Sequence, residues 1–160
     1  MASFDLIYLA DGSMQSCVNV KKPVGTGGAN LREDVLLIQV LFNYIAEHLT
    51  PGSIGLGKEY AVPEITGNMD ADTFSAIGAF QLANLSALVI NRFDGRIDPA
   101  KYRGRRINLV GKRLMSITYL HQLATDASVM RGSGGDYSQQ LAHMNAELAS
   151  YLDQSLIDRL

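Results

Sequence analysis

The sequence predicts a mainly α fold, a helical bundle with a short N-terminal β-hairpin and additional C-terminal helices. Three observations carry that prediction. Apolar residues recur at spacings of three and four through most of the chain, the segments with this period open on Asn or Asp and close on Gly or Pro, and alternation is confined to the first twenty residues. The chain has 160 residues, 47% of them hydrophobic, enough for one ordinary domain whose core needs neither metal nor disulfide.

Phe4, Leu6 and Tyr8 share one face of an extended segment, Asp11-Gly12 reads as a turn and Cys17-Val18-Asn19-Val20 as the returning strand, which makes a hairpin. Pro23, Gly25, Gly27 and Gly28 make residues 21–29 loop. Asn30, with Glu33 three residues on, has the form of a capping box. Behind it Val35, Ile38, Phe42, Ile45 and Leu49 form one apolar helix face, ended by Pro51-Gly52. Gly55, Gly57 and Pro63 mark residues 53–66 as an irregular excursion.

The next helix starts at Asp70 or Asp72, either of which can accept from the free N–H groups of a first turn. Its expected buried stripe is Phe74, Ile77, Phe80 and Leu85, with Ala76, Gly78 and Ala83 permitting close approach, and it reads as the central helix. Asp98-Pro99 repeats the start signal before a short helix or turn interrupted by Gly104. Val110, Leu114, Ile117, Leu120 and Ala124 mark a further helix. Arg131-Gly132-Ser133-Gly134-Gly135 is a break that either sets off a helical extension or turns between two packed helices, and we take the second. Asp136 with Gln139 opens the last helix, which carries Leu141, Met144, Leu148, Tyr151 or Leu152, and Leu156.

A formal net charge of -2 supplies no global field toward nucleic acid or an anionic membrane. Cys17 is the single cysteine, so neither an internal disulfide nor a thiolate metal cluster can form, and it reads as a small apolar residue. The N-terminus lacks a basic leader and carries Asp5 within its apolar run, so neither a secretory signal nor a membrane span is expected. His48, His121 and His143 stand too far apart for a local metal motif, and no cofactor is expected. Glu59, Glu64, Asp70 and Asp72 offer carboxylate pairs of the kind a glycosidase needs, but any chain with 16 acids does so, and surface charge or helix capping accounts for them. No Gly-x-Ser-x-Gly elbow occurs and Cys17 has no histidine partner in view, so no catalytic residue is assigned and the chain reads as a non-enzyme. Gly25-Thr26-Gly27-Gly28 precedes a helix, where anions bind, but lacks the Gly-Lys-Ser or Gly-Lys-Thr of a phosphate loop and reads as a connector.

Lys101, Arg103, Arg105, Arg106, Lys112 and Arg113 gather six of the 14 basic residues into thirteen positions. Such a patch is either a solvated face or a contact for phosphates, carboxylates or an acidic partner. With no aromatic side chains interleaved, nucleic acid is not expected as a partner.

One ordered set of phrases reaches further. Asp34-Val35, Gln39, Leu41 and Asn43 are followed by Gly67-Asn68, Asp70, Thr73, Ala76-Ile77 and Phe80-Gln81, then by Asp94-Gly95, Ile97 and Asp98-Pro99. This order resembles the peptidoglycan-binding-like domain, a small three-helix module found in many cell-wall enzymes, over residues 30–102. The resemblance implies two pseudo-repeated helix-turn halves, with Gly67, Asp70 and Thr73 at the entry to the second main helix. The glycine-rich lead at 24–30 is similar to versions beside wall-degrading effectors of contractile secretion systems. Residues 1–29 would then be a hairpin and lead, 30–102 the core, and 103–160 a helical extension packed on it as one globular unit.

Gln39 and Gln81 fall at corresponding helix positions, where an amide can bond a neighbouring loop backbone. The implied function is non-catalytic attachment of a protein or complex to the bacterial cell wall, linked to a secretion-system effector. Peptidoglycan or its stem-peptide carboxylates would be the ligand. Arg92, Arg96, Tyr102 and Arg103 are the candidate contacts, because a guanidinium holds a carboxylate bidentately and a tyrosine stacks on a sugar face. The alternative is a protein-interaction adaptor or accessory of a contractile secretion or phage-like apparatus, meeting its partner through the helices after Val110. The chain would act in the periplasm or wall if exported without a signal peptide, and otherwise in the cytoplasm.

Overall fold

A computed structural model describes residues 3–8, 14–49, 51–55, 61–86, 90, 92–100, 116–130, 132 and 137–157. The alternating N-terminal segments form β1 (Ser3–Tyr8) and β2 (Met14–Asn19), paired antiparallel with Ser3 opposite Asn19 and Tyr8 opposite Met14. The Asp11-Gly12 turn lies outside the described residues. Successive strand residues face opposite sides, and Cys17 and Val18 are both fully buried. β2 is therefore covered on both faces at that point.

A second, two-residue pairing joins β3 (Val24–Gly25) to β4 (Arg96–Ile97), Val24 opposite Ile97. Gly25 is required there, since its φ is +112° and a Cβ would stand 2.1 Å from the Gly95 carbonyl oxygen. The Asn30 side chain closes this loop: its Oδ1 accepts from the Gly25 N–H at 2.7 Å and its Nδ2 donates to the Gly25 carbonyl at 3.3 Å. Asn30 therefore does not cap the next helix, as the capping-box pattern predicts, because its amide is spent on Gly25. That helix, α1 (Arg32–His48), starts after Leu31 without a side-chain cap.

α1 is the central element. Every residue from Asp34 to Phe42 is buried, and the helix packs on β3, on the 3-10 turn Pro51–Ile54, and on the C-terminal helices α3 (Ser116–Met130), α4 (Ser138–Met144) and α5 (Ala146–Ile157). A helix apolar on all sides belongs inside, and Val35-Leu36-Leu37-Ile38 followed by Val40-Leu41-Phe42 is such a sequence. This corrects the expectation that the following helix is central. The Asp34 carboxylate is buried with it, accepting from the backbone N–H groups of Lys21 and Lys22, each at 2.9 Å. Burial pushes the Asp34 carboxyl above the usual carboxylate range, and the two backbone bonds oppose that shift.

α2 (Ala71–Ser86) begins where Asp70 predicts. Its Oδ1 accepts from the Thr73 N–H at 2.8 Å and the Thr73 hydroxyl at 2.7 Å, and these bonds hold Asp70 below the usual carboxylate range. The buried residues of α2 are Thr73, Ala76, Ile77, Ala79, Phe80, Gln81 and Asn84, whereas Phe74 is 39% exposed. The stripe is thus turned by about one position from the one expected. Phe80 meets Phe42 edge-on at 5.8 Å and stacks on Tyr119 at 6.0 Å, which joins α2 to α1 and α3.

Ile117, Leu120 and Ala124 line the buried face of α3, as expected, while Val110 and Leu114 lie outside the described residues. The helix or turn expected after Asp98-Pro99 also lies outside them, beyond Ala100. The single last helix expected is two. Asn145 adopts an extended conformation between α4 and α5, and its Oδ1 accepts from the Leu148 N–H at 2.9 Å, ending one helix and capping the other. α3 packs on β2 and α5 on β1, and one apolar cluster extends from Cys17 to Leu152. Among the described residues no helix is long and apolar enough to cross a membrane.

Candidate functional site

Two glutamines organise the loops that flank α2. Gln39, on α1 and fully buried, accepts at Oε1 from the backbone N–H groups of Thr66 at 3.0 Å and Gly67 at 2.8 Å. Its Nε2 donates to the Asn68 carbonyl at 3.0 Å and the Thr73 hydroxyl at 2.9 Å. Gln81, on α2 and fully buried, does the same one loop later. Its Oε1 accepts from Asp94 N–H at 3.1 Å and Gly95 N–H at 2.8 Å, and its Nε2 donates to the Arg96 carbonyl at 2.8 Å and the Ser116 hydroxyl at 3.2 Å.

The loops match as well. Gly67 and Gly95 both have positive φ, +73° and +67°. Thr66 Oγ1 accepts from Asn68 N–H at 3.1 Å, and Asp94 Oδ1 from Arg96 N–H at 3.0 Å. A buried amide that satisfies both its oxygen and its nitrogen on peptide groups fixes a loop without needing regular structure in it. The segments 66–71 and 94–99 are thus held in one manner by two helices.

The second of these loops displays the candidate contacts. Arg92 is exposed, with Nη1 3.9 Å from Asp94 Oδ2 and 3.7 Å from Asp98 Oδ2. Such loose surface pairs restrain a guanidinium weakly, on the order of 0–1 kcal/mol. Arg96 is committed inward. Its Nη2 donates to Asp98 Oδ2 at 3.2 Å, and its buried Nε lies 2.8 Å from Asp98 Oδ1 without its N–H being aimed there. Hydrogen bonding to Asp98 raises the Arg96 guanidinium above its ordinary value. Arg92, Asp94, Arg96 and Asp98 sum to zero charge, so the loop is an alternating array and not a cationic one. Tyr102 and Arg103, with the rest of the basic run, lie outside the described residues.

Sequence reasoning missed the exposed apolar groups near these loops. Phe93, beside Arg92, is 53% exposed, and Leu82, which follows Gln81, is also 53% exposed. Phe74 and Leu82, eight residues apart, share a face of α2. The helical period gave no signal for Phe74, which it places in one stripe with Ile77 and Phe80.

Of the remaining ionisable candidates, His121, His48 and Asp70 have structural partners. His121 is buried with its Nδ1 2.5 Å from the Tyr137 hydroxyl, and His48 packs edge-on against Tyr44 at 4.7 Å. Asp70 caps α2 with a carboxyl of lowered pKa, the opposite of what a glycosidase acid requires. Glu59 lies outside the described residues, and among the described residues no three His, Cys, Asp or Glu side chains come together as a metal-binding group. Comparison with known proteins finds no match to any family model, any curated protein or any solved structure.

Proposed function

We propose that this chain is a non-catalytic peptidoglycan-binding-like module that attaches a protein or complex to the bacterial cell wall, in association with a secretion-system effector. One observation carries the reading: the Gln39 and Gln81 amides hold two equivalent Gly-containing turns, one after the other, around α2. The phrases that resemble the wall-binding module are therefore the residues that build a repeated helix-turn unit. Arg92 and Phe93, displayed on the second turn, supply a guanidinium for a stem-peptide carboxylate and a ring for an apolar or sugar face.

Co-sedimentation with purified sacculi tests it. The parent chain is expected in the pellet, and Arg92→Ala, Phe93→Ala and Arg103→Ala are each expected to reduce that fraction. A parent chain that stays in the supernatant ends the proposal.

A second reading is favoured by a separate observation. The Arg96 guanidinium is occupied by Asp98, whereas Phe74 and Leu82 stand exposed along α2. A protein-interaction adaptor of a contractile secretion or phage-like apparatus would use that apolar face and need no wall affinity. A stable complex with a co-purifying protein that Leu82→Ser abolishes, together with no sedimentation on sacculi, selects it.

A further inference from the structure

α4 is attached to the central helices through polar aromatic side chains. Tyr137 immediately precedes α4 and provides it no side-chain cap, and it is buried. Its hydroxyl is 2.5 Å from His121 Nδ1 on α3, and its ring lies 5.6 Å from the imidazole and 6.2 Å from the Tyr44 ring on α1. The Tyr44 hydroxyl donates to Gln140 Oε1 on α4. One member of this cluster, His121, carries an ionisable imidazole.

We infer that His121 and Tyr137 form an acid-released latch: the neutral imidazole holds α4 against α1 and α3, and its protonation frees α4. Burial pulls the His121 imidazole down to about 4, and desolvation is the whole cause. The described titratable groups on the elements around it are Tyr44, Glu47 and His48 on α1, Cys17 on β2, His143 on α4, and Glu147 and Tyr151 on α5. Tyr119 and Asp126 lie on α3 itself, and Arg32, Glu33 and Asp34 lie in the first turn of α1. Glu47, Asp126 and His143 are exposed, Glu147 is paired with Arg32, and Asp34 lies at the far end of α1 on the Lys21 and Lys22 backbone. Among the described residues, no carboxylate is therefore placed to neutralise an imidazolium at position 121.

The sign follows from the lowered affinity. Latched His121 binds its proton less readily than exposed His121, so the closed form has full strength above an ordinary histidine pKa of 6.5. It weakens as pH falls below that value and stops weakening near pH 4, where the latched imidazole also protonates. Across that span the closed-to-open ratio falls by a factor of about 300, a tenfold change for each pH unit. The loss is local because α4 is seven residues long and contributes few large apolar groups, whereas α1 is buried throughout the run 34–42.

Amide hydrogen exchange on the full chain at pH 7, 6, 5 and 4 tests the latch, with each rate divided by the unstructured-chain rate at that pH. Protection within α4, residues 138–144, is expected to fall by up to about 300-fold while α1 and α2 retain theirs. An equal fall in α1, or no fall in 138–144, overturns the inference. His121→Phe should flatten the pH profile, and Tyr137→Phe should lower protection of α4 about tenfold already at pH 7. If either variant does not fold, NMR titration of the parent imidazoles still decides, since a His121 that titrates near 6.5 also overturns it.

Discussion

Gln39→Ala removes four short hydrogen bonds from one loop at a stroke, and their surroundings set the cost. The Gly67 N–H is buried and has no substitute acceptor, a loss of about 1–3 kcal/mol. Asn68 is exposed, so water can reach its carbonyl, and the Thr73 hydroxyl keeps its bond to Asp70. Those two bonds and the half-buried Thr66 N–H together contribute about 1–2 kcal/mol. The buried Cγ methylene adds about 0.8 kcal/mol. The expected destabilisation is about 3–6 kcal/mol, a large share of a typical domain's stability. Urea unfolding at pH 7, followed by far-UV circular dichroism, measures it. Gln39→Glu keeps the acceptor at Oε1 but turns a carboxylate oxygen toward the Asn68 carbonyl. It should lose at least as much at pH 7 and recover part of the loss in acid, where the protonated oxygen donates again. A loss below about 1 kcal/mol for Gln39→Ala would refute the claim that this amide holds the loop.

Gly25→Ala should cost about 2 kcal/mol or more, read as a fall in melting temperature, because a left-handed residue acquires a Cβ against the Gly95 carbonyl. Asp70→Ala should cost about 1 kcal/mol through loss of the α2 cap, measured by denaturant titration, with Asp70→Asn retaining most of it. Ser128→Ala should be neutral or stabilising by up to about 1 kcal/mol, because the Ser128 hydroxyl is buried without a hydrogen-bond partner, and a clear loss of stability would contradict that.

Where the sequence was readable, local chemistry and tertiary structure agreed. Asp70 caps α2 because a carboxylate three residues before Thr73 needs no distant partner. The hairpin follows from alternation, whereas the central place of α1 was misassigned to α2, although Val35 to Phe42 is apolar on every side except at Gln39. Side-chain hydrogen bonds defeated the rest. Asn30 has a capping residue's chemistry but gives its amide to Gly25, and the burial of Thr73, Gln81 and Asn84 is paid by hydrogen bonds that no hydrophobic period reveals. Asn145 breaks a helix whose apolar spacing continues across it. At the candidate site, the Arg96 and Asp98 contact is an i, i+2 relation in extended chain and was open to inference, whereas the outward position of Phe93 depends on how Gln81 anchors the next residue.

The two glutamine amides read mainly peptide groups: the N–H of Thr66, Gly67, Asp94 and Gly95, and the carbonyls of Asn68 and Arg96. Side-chain identity at several of these positions is therefore nearly invisible to the core. A designer could transplant the tip of one loop onto the other, or write a new recognition sequence into both, provided that the glycine and the peptide geometry are kept. The framework behaves as a two-socket holder, in which affinity can be rewritten while the fold is left alone.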